Sequence, residues 1–252
     1  MIQAYIRTAA SRGREVERVG PFTATFTPGA DSQFINYAIP DEVAEPTPAE
    51  VAALIQAYER RGLLPRLEYL PGLAPAVEPA LVAAGFAVEE RLPLMDCPAV
   101  IEQPVPEGYE LFTPESEDDF GAMVGAQHEA FGDEPPGEGE IARARSTVAA
   151  GGLACYAREV ASGEPAGGGL CTALRDGMTE VVGVAVRKRH ERRGLGGAIT
   201  LALTRAAFAA GAHTIFLTPA GDAQERVYAR VGYRRIDSML FMFRPSPDRR
   251  PE

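Results

Sequence analysis

Apolar residues recur along this chain with two spacings, and the switches between them mark its elements. Residues 2–12 carry a helical spacing, and residues 22–26 and 34–39 read as strands joined by a turn through Pro28, Gly29, Ala30 and Asp31. Thr47 followed by Glu50 is a capping box. It opens a helix that carries Val51, Leu54, Ile55 and Tyr58 on one face and stops at Gly62. A strand at 67–70, a helix at 75–84 stopped by Gly85, and a strand at 88–95 follow. Pro98, Pro104 and Pro106 then interrupt every periodicity.

Beyond them the pattern resumes with a strand at 109–113 and a helix at 117–131 that begins at Ser116. An acidic, proline-bearing loop (133–140) and a helix at 141–150 come next. Strands at 153–160, 167–174 and 179–186 alternate with turns. A helix with Leu195, Ile199, Ala202, Leu203 and Ala206 on one face ends at Gly211. A strand at 214–218, a turn with Asp222 as N-cap, a helix at 223–231 and a last strand ending near 242 complete the chain. The expected division is a domain at 1–100, a linker at 101–107, a second domain at 108–244 and a flexible tail at 245–252.

The most informative stretch is 181–197, Val-Val-Gly-Val-Ala-Val-Arg-Lys-Arg-His-Glu-Arg-Arg-Gly-Leu-Gly-Gly. It reads as a buried strand, a basic turn and a glycine-rich entry into a helix. Glycines at 194, 196 and 197 let the main chain approach a ligand with its N–H groups unhindered. The helix N-terminus supplies a partial positive charge, and Arg192 and Arg193 supply full ones. Such a site suits a phosphate or diphosphate. It is not a nucleotide-triphosphate loop, because no Gly-Lys-Ser/Thr is present. It is not the dinucleotide fingerprint, because Ile199 stands where the third glycine would be.

Composition narrows the reading further. The 252 residues, 46% hydrophobic, suffice for one large or two small cores. The formal charge of −10 disfavours general nucleic-acid binding and favours, weakly, a cationic substrate. Cys97, Cys155 and Cys171 lack metal-like spacing and read as reduced, partly buried thiols. No His/Cys/Asp cluster has metal-ligand spacing, so no metal is expected. The absence of a long apolar run and of an N-terminal targeting pattern predicts a soluble cytoplasmic protein without membrane partners.

Arg-Arg-Gly-Leu-Gly-Gly after a Val-Ala-Val strand resembles the acetyl-CoA signature of the GNAT N-acetyltransferase superfamily. Val-Tyr-Ala-Arg-Val-Gly-Tyr at 227–233 resembles that family's helix ending in Tyr-x-x-x-Gly-Phe. The resemblance implies an α/β fold with a mixed α+β sheet over 108–244. It also implies acetyl-CoA as co-substrate, with transfer to a primary amine of a small molecule or peptide by direct attack in a ternary complex. Carried over, Val184, Ala185 and Val186 contact pantetheine, and Arg192, Arg193, Gly194, Leu195, Gly196 and Gly197 cradle the pyrophosphate. Asp222 and Tyr228 complete the cofactor site, and Tyr228 protonates the departing thiolate. His128 and Phe131, at the end of the first helix of this domain, line the acceptor pocket. One departure is Glu191, where the family usually has Arg or Gln.

An alkylamine with a pKa near ~10.4 must lose a proton before attack, at a cost of roughly 4–5 kcal/mol at neutral pH. Glu180 is the candidate base, acting through a water. Strand alternation places it on the face of Val182, Val184 and Val186 unless a bulge intervenes. A main-chain N–H of this strand, that of Val186, is the candidate to polarise the thioester oxygen. His190 is expected on an outer turn, without a role.

The first domain echoes the second. Gly85-Phe86 matches Gly232-Tyr233, and four residues before each glycine stand Leu81 and Tyr228. No basic glycine-rich loop accompanies the first copy. The chain thus reads as a tandem GNAT-like fold with a truncated, degenerate N-terminal copy that lost its cofactor site, and a homodimer is an open possibility. Two alternatives stand beside it: a CoA-binding module without turnover, and an acyltransferase using a longer acyl-CoA.

Overall fold

The computed structural model describes residues 1–29 and 33–245. Ala30 and Asp31 of the expected turn, and most of the expected tail, lie outside them. The elements run α1 (Ile2–Ala10), β1 (Glu15–Val19), β2 (Phe22–Phe26), β3 (Ala38–Pro40), α2 (Pro48–Glu59), β4 (Arg66–Tyr69), α3 (Val77–Ala83), β5 (Ala87–Asp96) and β6 (Tyr109–Phe112). They continue with α4 (Glu117–Phe131), α5 (Glu138–Ala149), β7 (Leu153–Glu159), β8 (Pro165–Cys171), β9 (Met178–Val186), α6 (Leu195–Ala209), β10 (Thr214–Leu217), α7 (Asp222–Val231) and β11 (Arg234–Phe243).

From β6 onward the order is β-α-α-β-β-β-α-β-α-β. With its first strand and helix removed, that order becomes α-β-β-β-α-β-α-β, which is the order from α1 to β5. The N-terminal copy is therefore a truncated repeat, and α2 in it corresponds to α6. Each repeat gives up its last strand. β4 pairs antiparallel with the end of β11, through Leu240 opposite Tyr69. β10 pairs antiparallel with the end of β5, through Phe216 opposite Asp96.

The compact units follow this exchange. One comprises Met1–Pro93 with the chain from Asp237 onward, and the other comprises Leu94–Ile236. In the first unit, Phe22, Leu54, Tyr58, Leu67, Tyr69, Leu81 and Leu240 are fully buried in one core. β1 was not anticipated, because Glu15-Val-Glu-Arg-Val offers little apolar signal and its order comes from pairing with β2. The expected strand at 34–39 is shorter than its apolar run: Gln33–Ile35 is a single 3-10 turn and only Ala38–Pro40 joins the sheet.

In the second unit β6, β7, β8 and β9 are antiparallel neighbours, and β9 and β10 are parallel. Helices cover both faces. A Cβ on Gly168 would lie 2.5 Å from Met123 of α4, and one on the adjacent Gly169 would lie 3.1 Å from Leu203 of α6. Successive strand residues face opposite sides, so α4 and α6 occupy opposite faces of this sheet. The glycines of β8 let both helices approach closely.

The expected linker contains no helix or strand, yet it is fastened to this unit. Ile101 N–H donates to Val231 O at 2.8 Å, and Gln103 Nε2 donates to Arg230 O at 2.7 Å. Two positions depart from expectation at helix starts. Gly221, not Asp222, is the N-cap of α7, and α5 begins at Glu138 inside the loop expected to be irregular. The three cysteines are free and buried.

Candidate active site

The β9–α6 connection is short and basic. Strand β9 ends at Val186, a 3-10 turn covers Lys188–His190, and α6 begins after Gly194. Gly194 has φ +86°, a left-handed conformation that glycine adopts without a side-chain clash. Arg192 adopts φ +59°, which is uncommon for a residue with a Cβ. Strain of this kind collects at ligand sites.

No side chain caps the N-terminus of α6. Its first amides lie at Leu195, Gly196 and Gly197, and Gly194 as N-cap offers them no side-chain acceptor. They open into a cleft of about 630 Å³. The floor is Val184, Ala185 and Val186 of β9, one wall is the 192–197 loop and helix start without Arg193, and the other is Gln224, Val227 and Tyr228 of α7. Ala130 and Phe131, at the end of α4, form part of the rim. Phe131 is 59% exposed.

The pairing of β9 with β10 ends before β9 reaches this cleft. Their parallel register runs from Met178 opposite Thr214 to Glu180 opposite Phe216 and stops there. Arg187 N–H is given to Ala166 O of β8 at 2.9 Å. Backbone groups alternate along a strand, so Val186 and Val184 direct their N–H and C=O groups to the other edge, the one β10 has left.

Strand β9 also carries a bulge. Leu170 of β8 pairs with Val182, and Gly168 pairs with Ala185, so β9 spends three steps where β8 spends two. Gly183, at φ +63°, absorbs the extra residue. The consequence corrects one expectation. Glu180 and Val182 share the face of α4, whereas Val184 and Val186 face α6. Glu180 stands at the last paired position before the strands part, and it does not line the cleft.

Other expected residues also sit elsewhere. Arg193 turns away from the cleft; its Nη1 donates to the Tyr109 hydroxyl at 3.0 Å. His128 is near the end of α4 with Nδ1 2.8 Å from Glu134 O, and it does not line the cleft. Asp222 is exposed in the first turn of α7, outside the lining. The cleft does gather Val184, Ala185, Val186, Arg192, Gly194, Leu195, Gly196, Gly197, Tyr228 and Phe131. Glu191 is an exposed residue at its rim.

His190 differs most from expectation. It is 3% exposed and contributes to the cleft. Its Nδ1 lies 2.9 Å from the Tyr109 hydroxyl, and Arg189 Nε donates to its Nε2 at 3.3 Å. The imidazole thus ties the basic loop to β6. Burial lowers its pKa below the ordinary histidine value, so the neutral ring is favoured. Gln224 could have been found from sequence, because it falls three residues before Val227 and four before Tyr228 on one helical face. Burial raises the Tyr228 phenol above its ordinary value, so it is a proton donor throughout the physiological range.

The cleft thus combines an unpaired strand edge, an uncapped, glycine-rich helix start and a tyrosine opposite. Residues 109–233 match the Acetyltransferase (GNAT) family, and this stretch is a GNAT acetyltransferase domain. The chain is similar to a GCN5-related N-acetyltransferase from Kribbella flavida, with 25% identity and a TM-score of 0.81 over 97% of this chain and 95% of the other. It shares its fold with a tandem GNAT protein from the clavulanic acid biosynthesis pathway, at 15% identity and TM-score 0.67 over 96% and 88%. A GCN5-related N-acetyltransferase from Sphaerobacter thermophilus follows at 17% identity and TM-score 0.63 over 90% and 78%. A search of curated proteins gives no match. Among the described residues no group of three or more His, Cys, Asp or Glu could hold a metal, and no helix is long and apolar enough to cross a membrane.

Proposed function

We infer that this protein transfers an acetyl group from acetyl-CoA to a primary amine, with both substrates bound at once. The observation that carries this reading is the uncapped N-terminus of α6 beside the free edge of β9. A diphosphate satisfies the amides of Gly196 and Gly197 and meets the helix dipole and Arg192. The free N–H and C=O groups of Val184 and Val186 suit the amide-bearing pantetheine arm, as an added strand does. Acetyl-CoA then supplies an activated thioester.

The chain's own residues do the rest. A main-chain N–H of β9 polarises the thioester oxygen. Glu180, at the point where β9 and β10 part, takes a proton from the amine through a water; its place on the α4 face lets the amine approach from the side opposite the CoA arm. Phe131 and His128, at the end of α4, belong to the acceptor side. Tyr228 gives its proton to the departing thiolate. With a thiol pKa near ~8.5 that proton assists without being essential. We propose further that the protein acts in the cytoplasm, without a metal, a nucleic acid or a membrane as partner.

The test is thiol release from acetyl-CoA across an amine panel, repeated with propionyl- and succinyl-CoA. Amine-dependent release, fastest with the acetyl donor, supports the reading. Binding of CoA without release would turn it into a binding module, and preference for succinyl-CoA would change the donor.

A further inference from the structure

Gln127 is a buried polar residue of α4 that the proposed reaction does not use. It is 6% exposed, and it lies on the helix that covers the face of the sheet away from Val184 and Val186. Its Nε2 donates to Gly183 O at 2.6 Å. A Cβ built on Gly183 would lie 2.8 Å from that same nitrogen. The amide therefore presses on the one residue of β9 that absorbs the bulge, and it takes up the carbonyl that the bulge removes from the ladder. Buried carbonyls are satisfied in folded proteins, so the partner from α4 makes this distorted backbone state tenable.

The bulge decides what the cleft receives. Without the extra residue, regular alternation would place Val184 on the face of Glu180 and Val182 and would turn its N–H and C=O toward β8. With it, Val184 and Val186 face α6 and their backbone groups face the edge left by β10. We propose that Gln127 is a positioning residue that pins the β9 bulge and thereby aims the free strand edge at the acyl donor. This rests on the acetyl-CoA reading for its consequence, but the clamp itself is a structural claim that can be tested alone.

Two variants separate the roles. Gln127→Met keeps the side-chain length and loses the donor. Gly183→Ala retains Gln127 and forces a Cβ into its amide. Each is examined as the full chain, checked for folding by near-ultraviolet circular dichroism. Its β8–β9 register is read by backbone NMR contacts. Acetyl-CoA and ADP are titrated separately; ADP keeps the diphosphate and lacks the pantetheine arm. A misaimed site of about an ångström can cost on the order of a hundredfold in rate. For Gln127→Met we expect the Leu170–Val182 and Gly168–Ala185 pairs to lose their offset and acetyl-CoA affinity to fall about tenfold, while ADP affinity stays within about twofold. A merely space-filling Gln127 would leave acetyl-CoA and ADP equally affected, or neither. An unchanged register with unchanged acetyl-CoA affinity overturns the proposal. If the unmodified protein binds neither probe, the acetyl-CoA reading fails instead, and the register in Gln127→Met still decides the clamp.

Discussion

The β3–α2 and β9–α6 connections occupy the same place in the two repeats, and they treat their helix N-termini in opposite ways. After β3 the chain runs Asp41-Glu-Val-Ala-Glu-Pro-Thr, and after β9 it runs Arg187-Lys-Arg-His-Glu-Arg-Arg. Thr47 caps α2, accepting from Glu50 N–H at 3.3 Å, and Glu50 Oε2 accepts from Thr47 N–H at 2.8 Å. Those donors from Thr47 hold the Glu50 carboxyl below the usual carboxylate range. The start of α2 is thus closed by the chain itself and already carries a negative charge. The start of α6 has glycines, arginines and no side-chain cap. The same fold makes a side-chain-capped helix start in one copy and an uncapped one in the other. The difference lies in whether the first amides are satisfied from within.

The strongest way to break this contrast is to make α6 resemble α2. Gly196→Asp places a carboxylate at the second helical residue, where it complements the dipole and should hold or slightly raise thermal stability, by about 0.3–1 kcal/mol. Toward a diphosphate the same charge is repulsive. At about 4 Å and an effective dielectric near 20, one charge pair is worth about 4 kcal/mol, so acetyl-CoA affinity should fall by at least about a hundredfold. Calorimetric titration alongside a melting curve checks both halves.

The next test asks whether the first repeat is scaffold alone. Leu81 is fully buried and stands where Tyr228 stands in the second repeat. Leu81→Ala should cost about 3 kcal/mol in urea unfolding. Under conditions where the variant remains folded, acetyl-CoA affinity should be unchanged. A matching loss of affinity would show that the first copy shapes the site.

Tyr228→Phe should lower kcat about tenfold with little change in KM, because only proton delivery to the thiolate is removed. Steady-state thiol release measures it. The smallest effect concerns His190. Its pKa is depressed in the folded protein by burial, so its contribution to stability is present above the unfolded value of about 6.5 and is lost as pH falls below it. Urea midpoints between pH 7.5 and pH 5 should decline more steeply for the unmodified chain than for His190→Asn.

The sequence made the strand–loop–helix of the second repeat legible because its signals are local: an apolar run, basic turn residues and glycines at a helix start. Tandem architecture was legible for the same reason, through Gly85-Phe86 and Gly232-Tyr233. The exchange of final strands was not, since β5 and β11 carry no sign of which neighbour they will pair with. The bulge was half legible. Gly183 inside a valine run suggests one, but its phase depends on where β8 pairs. That phase decides the face of Glu180, so strand alternation alone misplaced it. His190 was misjudged because a histidine among arginines reads as exposed, whereas Tyr109 and Arg189 give its ring nitrogens partners inside the fold. The position of Arg193 was hidden for a similar reason, its partner Tyr109 being 84 residues away in the chain.

The most direct test of the account is an amide-resolved NMR titration of the whole protein with CoA. The account predicts that the largest shifts fall on the N–H groups of Gly194, Gly196 and Gly197, with Val184 and Val186 following, and that Thr47–Val51 at the start of α2 stays unmoved. Saturable shifts that leave the glycines of 194–197 untouched, or no shifts at millimolar CoA, would contradict it.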